Sequence, residues 1–232
     1  MFFVKRCVVL ASGFCLAIAI SLSARLVELK KIIPYLCLDI RYATANNFVG
    51  VPVYASARCF LEEAPARALA NVQAELKKQG LVLKVFDGYR PFSVQQRFWD
   101  VWLPIAKKRG IKDPSDYVAK PVTDAQGRPV KGSKHNRGSA IDLTLIDLKT
   151  GVELEMPSAF DECSIKAHCN AAAYDAMTPV AAKNCRLLAE VMVAHGFLVY
   201  GPEWWHFNWG NWKDYPLHTE TFEGLDELEA QS

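Results

Sequence analysis

The sequence predicts an α+β fold in a single domain, a mostly antiparallel sheet packed against helices, with the reactive site at the sheet. Three observations predict it. Helix-length segments alternate with short apolar runs bounded by glycine, proline and aspartate. No internal repeat or low-complexity tract breaks the chain. A length of 232 residues with 51% hydrophobic content is enough for one well-packed core.

The elements follow in order. Lys5 and Arg6 precede an apolar run from Cys7 to Leu22, and the small residues Ser21, Ser23 and Ala24 close it, which is the layout of a secretory signal. The run is about 16 residues, short for a membrane span. Phe14, just before Cys15, is too large for a lipoprotein processing site. Residues 1–24 are therefore expected to direct export to the periplasm and to be cut near Ala24, leaving 25–232 as the catalytic domain. An uncleaved N-terminal anchor is the alternative.

Glu62 to Lys78 reads as a helix closed by Gly80, and LVLKVF, Leu81 to Phe86, as a buried strand. DGYRP is a tight turn. Ser93 with Gln96 has the form of a capping box for a helix running towards Arg109, kinked at Pro104 and stopped by Gly110. Ile111 to Lys134 is polar and reads as a surface excursion. From Ser139 to Asp147 the pattern alternates, with Ile141, Leu143 and Leu145 on one face and Ala140, Asp142 and Thr144 on the other. Lys149-Thr150-Gly151 turns the chain, and Met156 to Met177 is irregular. Thr178-Pro179 supplies an N-cap and first-turn proline for a helix ending at Gly196. FLVY and WHFNW complete a sheet joined mostly by short connections, and the acidic tail TETFEGLDELEAQS reads as a solvated terminus.

A net charge of +2 with no Lys/Arg run excludes nucleic acid as a partner. With the signal removed, no stable membrane partner is expected either. Five cysteines remain after residue 24, and an odd count leaves at least one thiol free. Cys163 with Cys169 or Cys185, and Cys37 with Cys59, are the candidate pairs.

Asp142 sits in the middle of an apolar strand, where a carboxylate costs several kcal/mol unless it is paired or coordinated. His135 lies seven positions before it, and Glu203 three before His206. Two imidazoles and a carboxylate can hold a catalytic metal with a position left open for water, and Glu203 can serve as general base. Gly201-Pro202 must bend the chain for Glu203 and His206 to share a side. Arg90, at the end of a buried strand, is the third candidate. Lone histidines such as His168, His195 and His218 are more simply hydrogen-bonded structural residues, and Trp204, Trp205 and Trp209 sheet packing.

With these residues in place, the chain resembles the zinc-dependent D-alanyl-D-alanine dipeptidases. The likeness runs from IRYATANNFVG through DGYRP and SKHNRGSAIDLT to EWWHFNW, nearly all of the chain beyond the signal. SxHxxGxAxD followed by ExxH is shared more widely with D,D- and L,D-carboxypeptidases, while the RYATxxNF segment and EWWH narrow the likeness to the dipeptidases. The resemblance implies one Zn2+ per chain held by His135, Asp142 and His206, with Glu203 as catalytic base and Arg90 stabilising the tetrahedral intermediate. It places Tyr42, Ser133 and Asp161 around the free amino end of a small dipeptide substrate. Pro157 stands where family members usually have glycine. A peptidoglycan carboxypeptidase of the same superfamily and a non-catalytic zinc-binding module are the rival readings.

Overall fold

The computed structural model of the protein describes residues 25–231, so the expected signal segment lies outside the described residues. In chain order the elements are β1 (Leu26–Glu28), α1 (Leu29–Ile32), β2 (Cys37–Leu38), β3 (Phe60–Glu62), α2 (Glu63–Lys77), β4 (Leu81–Asp87), α3 (Phe92–Lys108), β5 (Val122–Thr123), β6 (Pro129–Lys131), β7 (Ala140–Asp147), α4 (Ala171–Tyr174), α5 (Pro179–Ala194), β8 (Phe197–Val199), β9 (His206–Trp209) and α6 (Phe222–Ala230).

The central sheet has the order β2-β4-β7-β9-β8; β2 runs parallel to β4 and every other pairing is antiparallel. Two small two-stranded sheets, β1-β3 and β5-β6, flank it. Register divides the central sheet into two faces. Leu83 opposes Leu145, Val85 opposes Leu143 and Phe207 opposes Ile141, giving one apolar face. Asp142 opposes His206 and Ala140 opposes Asn208 on the other. The helices α2 and α5 contact each other and the sheet, and Leu69, Leu76 and Leu188, each fully buried, join the sheet's apolar residues in one cluster. Each such leucine contributes about 1.5–3 kcal/mol of apolar transfer.

Several expectations are corrected. The connections are not mostly short: β4 and β7 are adjacent in the sheet but separated by α3 and the β5-β6 hairpin. The helix after DGYRP begins at Phe92 with Pro91 as N-cap and no side-chain cap, so Ser93 is already inside it and cannot cap it. As the sequence predicts, that helix carries Pro104 in its interior and runs on to Lys108, just before Gly110. The excursion after Gly110 is less solvated than its polarity suggests, because it carries Val118 into the core and packs Tyr117 on Trp102. The acidic tail forms α6, capped by Thr221; buried Phe222 packs on Tyr54 and Phe60, and Asp226 and Glu229 pair with Arg58 and Lys31. Cys169 bonds to Cys185, whereas Cys37, Cys59 and Cys163 are free thiols. The 37–59 pairing fails because Cys37 lies on β2 of the central sheet and Cys59 beside β3 of another. The Thr178 cap forms as expected, accepting from the Ala181 N–H.

Candidate metal centre and active site

The polar face of the sheet builds the site. Asp142 on β7 and His206 on β9 are direct cross-strand partners, so their side chains rise from the same spot. His135 reaches them from a 3-10 turn, His135–Arg137, that ends at Gly138 in a left-handed conformation, φ 58°. The left-handed backbone is what favours glycine at 138, and a Cβ there would also press on the Leu26 side chain and come within 3.1 Å of Glu62 N. All three side chains are buried.

Hydrogen bonds to neighbours set the protonation of each imidazole. His135 Nδ1 lies 2.7 Å from the Gly88 carbonyl oxygen, which can only accept; the proton is therefore on Nδ1 and the Nε2 lone pair points inward. His206 Nε2 lies 2.9 Å from Asn208 Oδ1, which leaves the Nδ1 lone pair pointing inward. His206 Nδ1 is 3.0 Å from Asp142 Oδ1, His135 Nε2 is 3.4 Å from Asp142 Oδ2, and the two inward nitrogens are 3.2 Å apart. Three acceptors thus face one another with no proton among them, and Asp142 Oδ1 has no hydrogen-bond donor. A divalent cation satisfies all three at once. These are the residues that can hold a metal, with ligand atoms lying within 4.8 Å of one another. Burial alone would raise the Asp142 carboxyl, but positive charge beside it, which His135 and His206 carry only when protonated and a bound cation would carry in their place, outweighs burial and holds it well below the usual carboxylate range.

Glu203 precedes β9 in a pair of turns, with its N–H bonded to the Tyr200 carbonyl and its own carbonyl accepting from His206 N. This is the bend expected at Gly201-Pro202, and it brings Glu203 Oε2 to 3.7 Å from His206 Nδ1. Burial pushes the Glu203 carboxyl up to about 7, with His206 pulling the other way.

Arg90 is not a surface residue. Its Nε and Nη2 donate to Asp87 Oδ2 at 3.1 and 2.7 Å, Nη1 donates to Gln95 Oε1 at 2.9 Å, and the guanidinium lies 4.5 Å from the Phe98 ring centre. The outer edge of the guanidinium keeps N–H donors for the pocket. Its backbone is stitched to the His135 turn: Arg90 N donates to the His135 carbonyl, and Asn136 Nδ2 to the Arg90 carbonyl.

Tyr42 and Asp161 meet at the same pocket, the phenol donating to the carboxylate with 3.0 Å to each oxygen. Burial and then the Asp142 charge push Asp161 up to about 8. Asp161 is the one non-glycine residue with positive φ among the described residues, at 63°. Ser133 lines the pocket, its hydroxyl accepting from His135 N. The pocket, about 160 Å³, thus brings all eight expected residues together, with Phe98, Trp102 and Trp205 as apolar lining.

Four supporting residues escaped the sequence reading. Asp87 is the central one: Oδ1 accepts from Tyr54 and Gly88 N, and Oδ2 accepts from Arg90. Gly88 leaves room for the neighbouring strand, since a Cβ there would meet the Phe60 carbonyl at 2.8 Å. Asn208 orients His206, and Asn136 joins two turns. Asn208 is the one with a readable signal, because it stands two residues after His206 on a strand and so shares its face.

A family model described as D-ala-D-ala dipeptidase, Peptidase_M15, matches residues 22–223. The D-alanyl-D-alanine dipeptidase of Escherichia coli (strain K12) is 34% identical over 200 residues, covering 86% of this chain and 92% of that protein. Its counterpart from Enterococcus faecalis (strain ATCC 700802 / V583) is 36% identical over 174 residues, covering 73% and 83%. The one from Streptomyces coelicolor (strain ATCC BAA-471 / A3(2) / M145) is 32% identical over 182 residues, with the same coverage of 73% and 83%. The chain belongs to the D-Ala-D-Ala dipeptidase family.

Proposed function

We propose that this protein is a zinc-dependent hydrolase that splits free D-alanyl-D-alanine into two D-alanines, acting outside the cytoplasmic membrane in peptidoglycan turnover or recycling. The observation that carries the reading is the convergence of His135 Nε2, Asp142 Oδ1 and His206 Nδ1 as unprotonated acceptors beside the Glu203 carboxylate. Two nitrogens and one oxygen, with room for water, are the donor set of a catalytic zinc.

When bound, one zinc per chain lowers the pKa of a coordinated water and polarises the scissile carbonyl. Glu203 takes the proton of the attacking water and returns it to the leaving amine; a carboxyl raised towards neutrality serves both directions. Arg90, held rigid by Asp87 and Gln95, presents preorganised positive charge to the developing oxyanion. Asp161, with Tyr42 behind it, is the partner for the ammonium group of a dipeptide. A pocket of about 160 Å³ is well below the roughly 300–1,000 Å³ of sites for drug-sized ligands, which suits a dipeptide better than a long stem peptide. Lys5, Arg6 and the apolar run after them support export.

The test is purified protein supplied with D-Ala-D-Ala, its N-acetyl derivative and a stem pentapeptide. D-Alanine should appear from the free dipeptide alone, stop on chelation and resume with Zn2+. Release from the pentapeptide alone assigns the protein to the carboxypeptidases instead.

A further inference from the structure

Glu62 ends β3 completely buried, outside the active pocket. Its Oε1 lies 2.6 Å from His218 Nε2, and its Oε2 accepts from the backbone N–H of Arg25, also at 2.6 Å. Among the described residues its ion-pair partner is His218, and no lysine or arginine side chain pairs with it. A buried carboxylate is costly without a compensating charge; His218 supplies one only while its imidazole is protonated, and a neutral peptide N–H offsets only part of that cost. Arg25 is nevertheless held firmly in place. Its carbonyl accepts from Glu63 N at 3.1 Å, and the next residue, Leu26, pairs with Glu62 in the β1-β3 ladder. The nitrogen of residue 25 is therefore clamped against the acid, at the first position after the small-residue end of the apolar run.

Resting on the export reading above, we propose that processing cuts the bond between Ala24 and Arg25 and that Glu62 receives the α-ammonium so released. A signal-peptidase-class protease adds water across that amide. Ala24 leaves with the new carboxylate, and Arg25 keeps the amine, which is protonated at neutral pH because an α-amino group has a pKa of about 7.7–8.0. The neutral N–H facing Glu62 Oε2 becomes a full positive charge without any movement of the backbone. The additional N–H groups have solvent, since Arg25 lines an open groove of about 510 Å³ together with Ile32, Phe60 and Leu225. Removal of the leader thus completes an ion pair at the base of β1 and β3, and a chain that keeps it lacks that pair.

The full chain is expressed in a host with an export pathway, and the folded product is characterised by intact mass and by thermal unfolding before and after selective acetylation of its α-amine. The product should begin at Arg25. Acetylation should lower Tm by about 3–10 °C, the scale for losing one charged hydrogen-bonded partner in a domain of this size. In Glu62→Gln, acetylation should make no difference. Another start point overturns the assigned cut, and a product retaining residues 1–24 refutes the export reading itself. A Tm indifferent to acetylation, in a product that does begin at Arg25, overturns the role of Glu62 while leaving export intact. Should Glu62→Gln not fold, the acetylation of the wild-type product decides alone.

Discussion

The two ends of the pocket are built differently. At the metal end, Asp142 and His206 sit opposite each other on adjacent strands, and backbone and amide oxygens hold both imidazoles in one tautomer. At the other end, the proposed amino end, Tyr42 comes from a single 3-10 turn, and Asp161 from an irregular segment in a positive-φ conformation. Strand register makes a side chain's position a property of the whole sheet, whereas a loop residue depends on a few local bonds. The metal end should therefore fail all at once when a ligand is lost, and the amino end should yield by degrees.

The largest expected effect breaks the metal end. His206→Ala removes one of three ligand atoms, and the variant should purify without stoichiometric zinc and without measurable turnover. Glu203→Gln should keep its zinc, because Glu203 lies beside the ligands rather than among them, and lose about 10²–10⁴ in kcat. Metal analysis and kinetics on the pair separate holding the ion from moving the proton. Full turnover by Glu203→Gln would remove the base from the mechanism.

A smaller effect sharpens the comparison by leaving every ligand in place. Asn208→Ala takes away the acceptor that fixes His206 with its Nδ1 lone pair inward. Loss of such an outer partner typically costs about 10–100-fold in metal affinity. Activity should recover when zinc is supplied in excess, which distinguishes a misoriented imidazole from a misfolded sheet. Recovery that never comes, with the fold intact by circular dichroism, would mean that Asn208 does more than orient its neighbour.

How much of this was legible depended on the kind of signal. Asp142 announced itself because a carboxylate inside an apolar strand needs a reason, and the α+β class followed from periodicities that α2, β4, β7 and α5 obey. Arg90 and His135 were visible as chemistry, but not the stitching between their turns through Asn136, since contacts across 46 residues leave no local pattern. Ser93 looked like a cap because its spacing to Gln96 fits one, yet Pro91 had already set the backbone for the helix. The acidic tail misled for a related reason. Its charges suggested solvent, and a single aromatic, Phe222, anchors it to the core while Arg58 and Lys31 take up two of the acids. The disulfide was beyond reach, because cysteine spacing does not show that α5 passes the segment holding Cys169.

The smallest expected effect tests the amino end through stability rather than rate. Asp161 has its carboxyl pushed up to about 8 by burial and by Asp142, against an ordinary value near 4 in the unfolded chain. Between those values the folded protein holds a proton that the unfolded chain releases, so this group's contribution is complete below about pH 4 and is lost as pH rises through 8. Asp161→Asn removes the titration while keeping the size and the hydrogen bond with Tyr42. The variant should match the wild type in Tm at pH 4 and exceed it by on the order of 2–5 °C at pH 8.5, while its KM for the dipeptide rises. The gap should be wider in chelated protein, because a bound cation offsets the Asp142 charge that helps raise Asp161. A stability gap that does not change with pH would place the strain in the positive-φ backbone instead, and the amino end would then resemble the metal end in being set by geometry rather than charge.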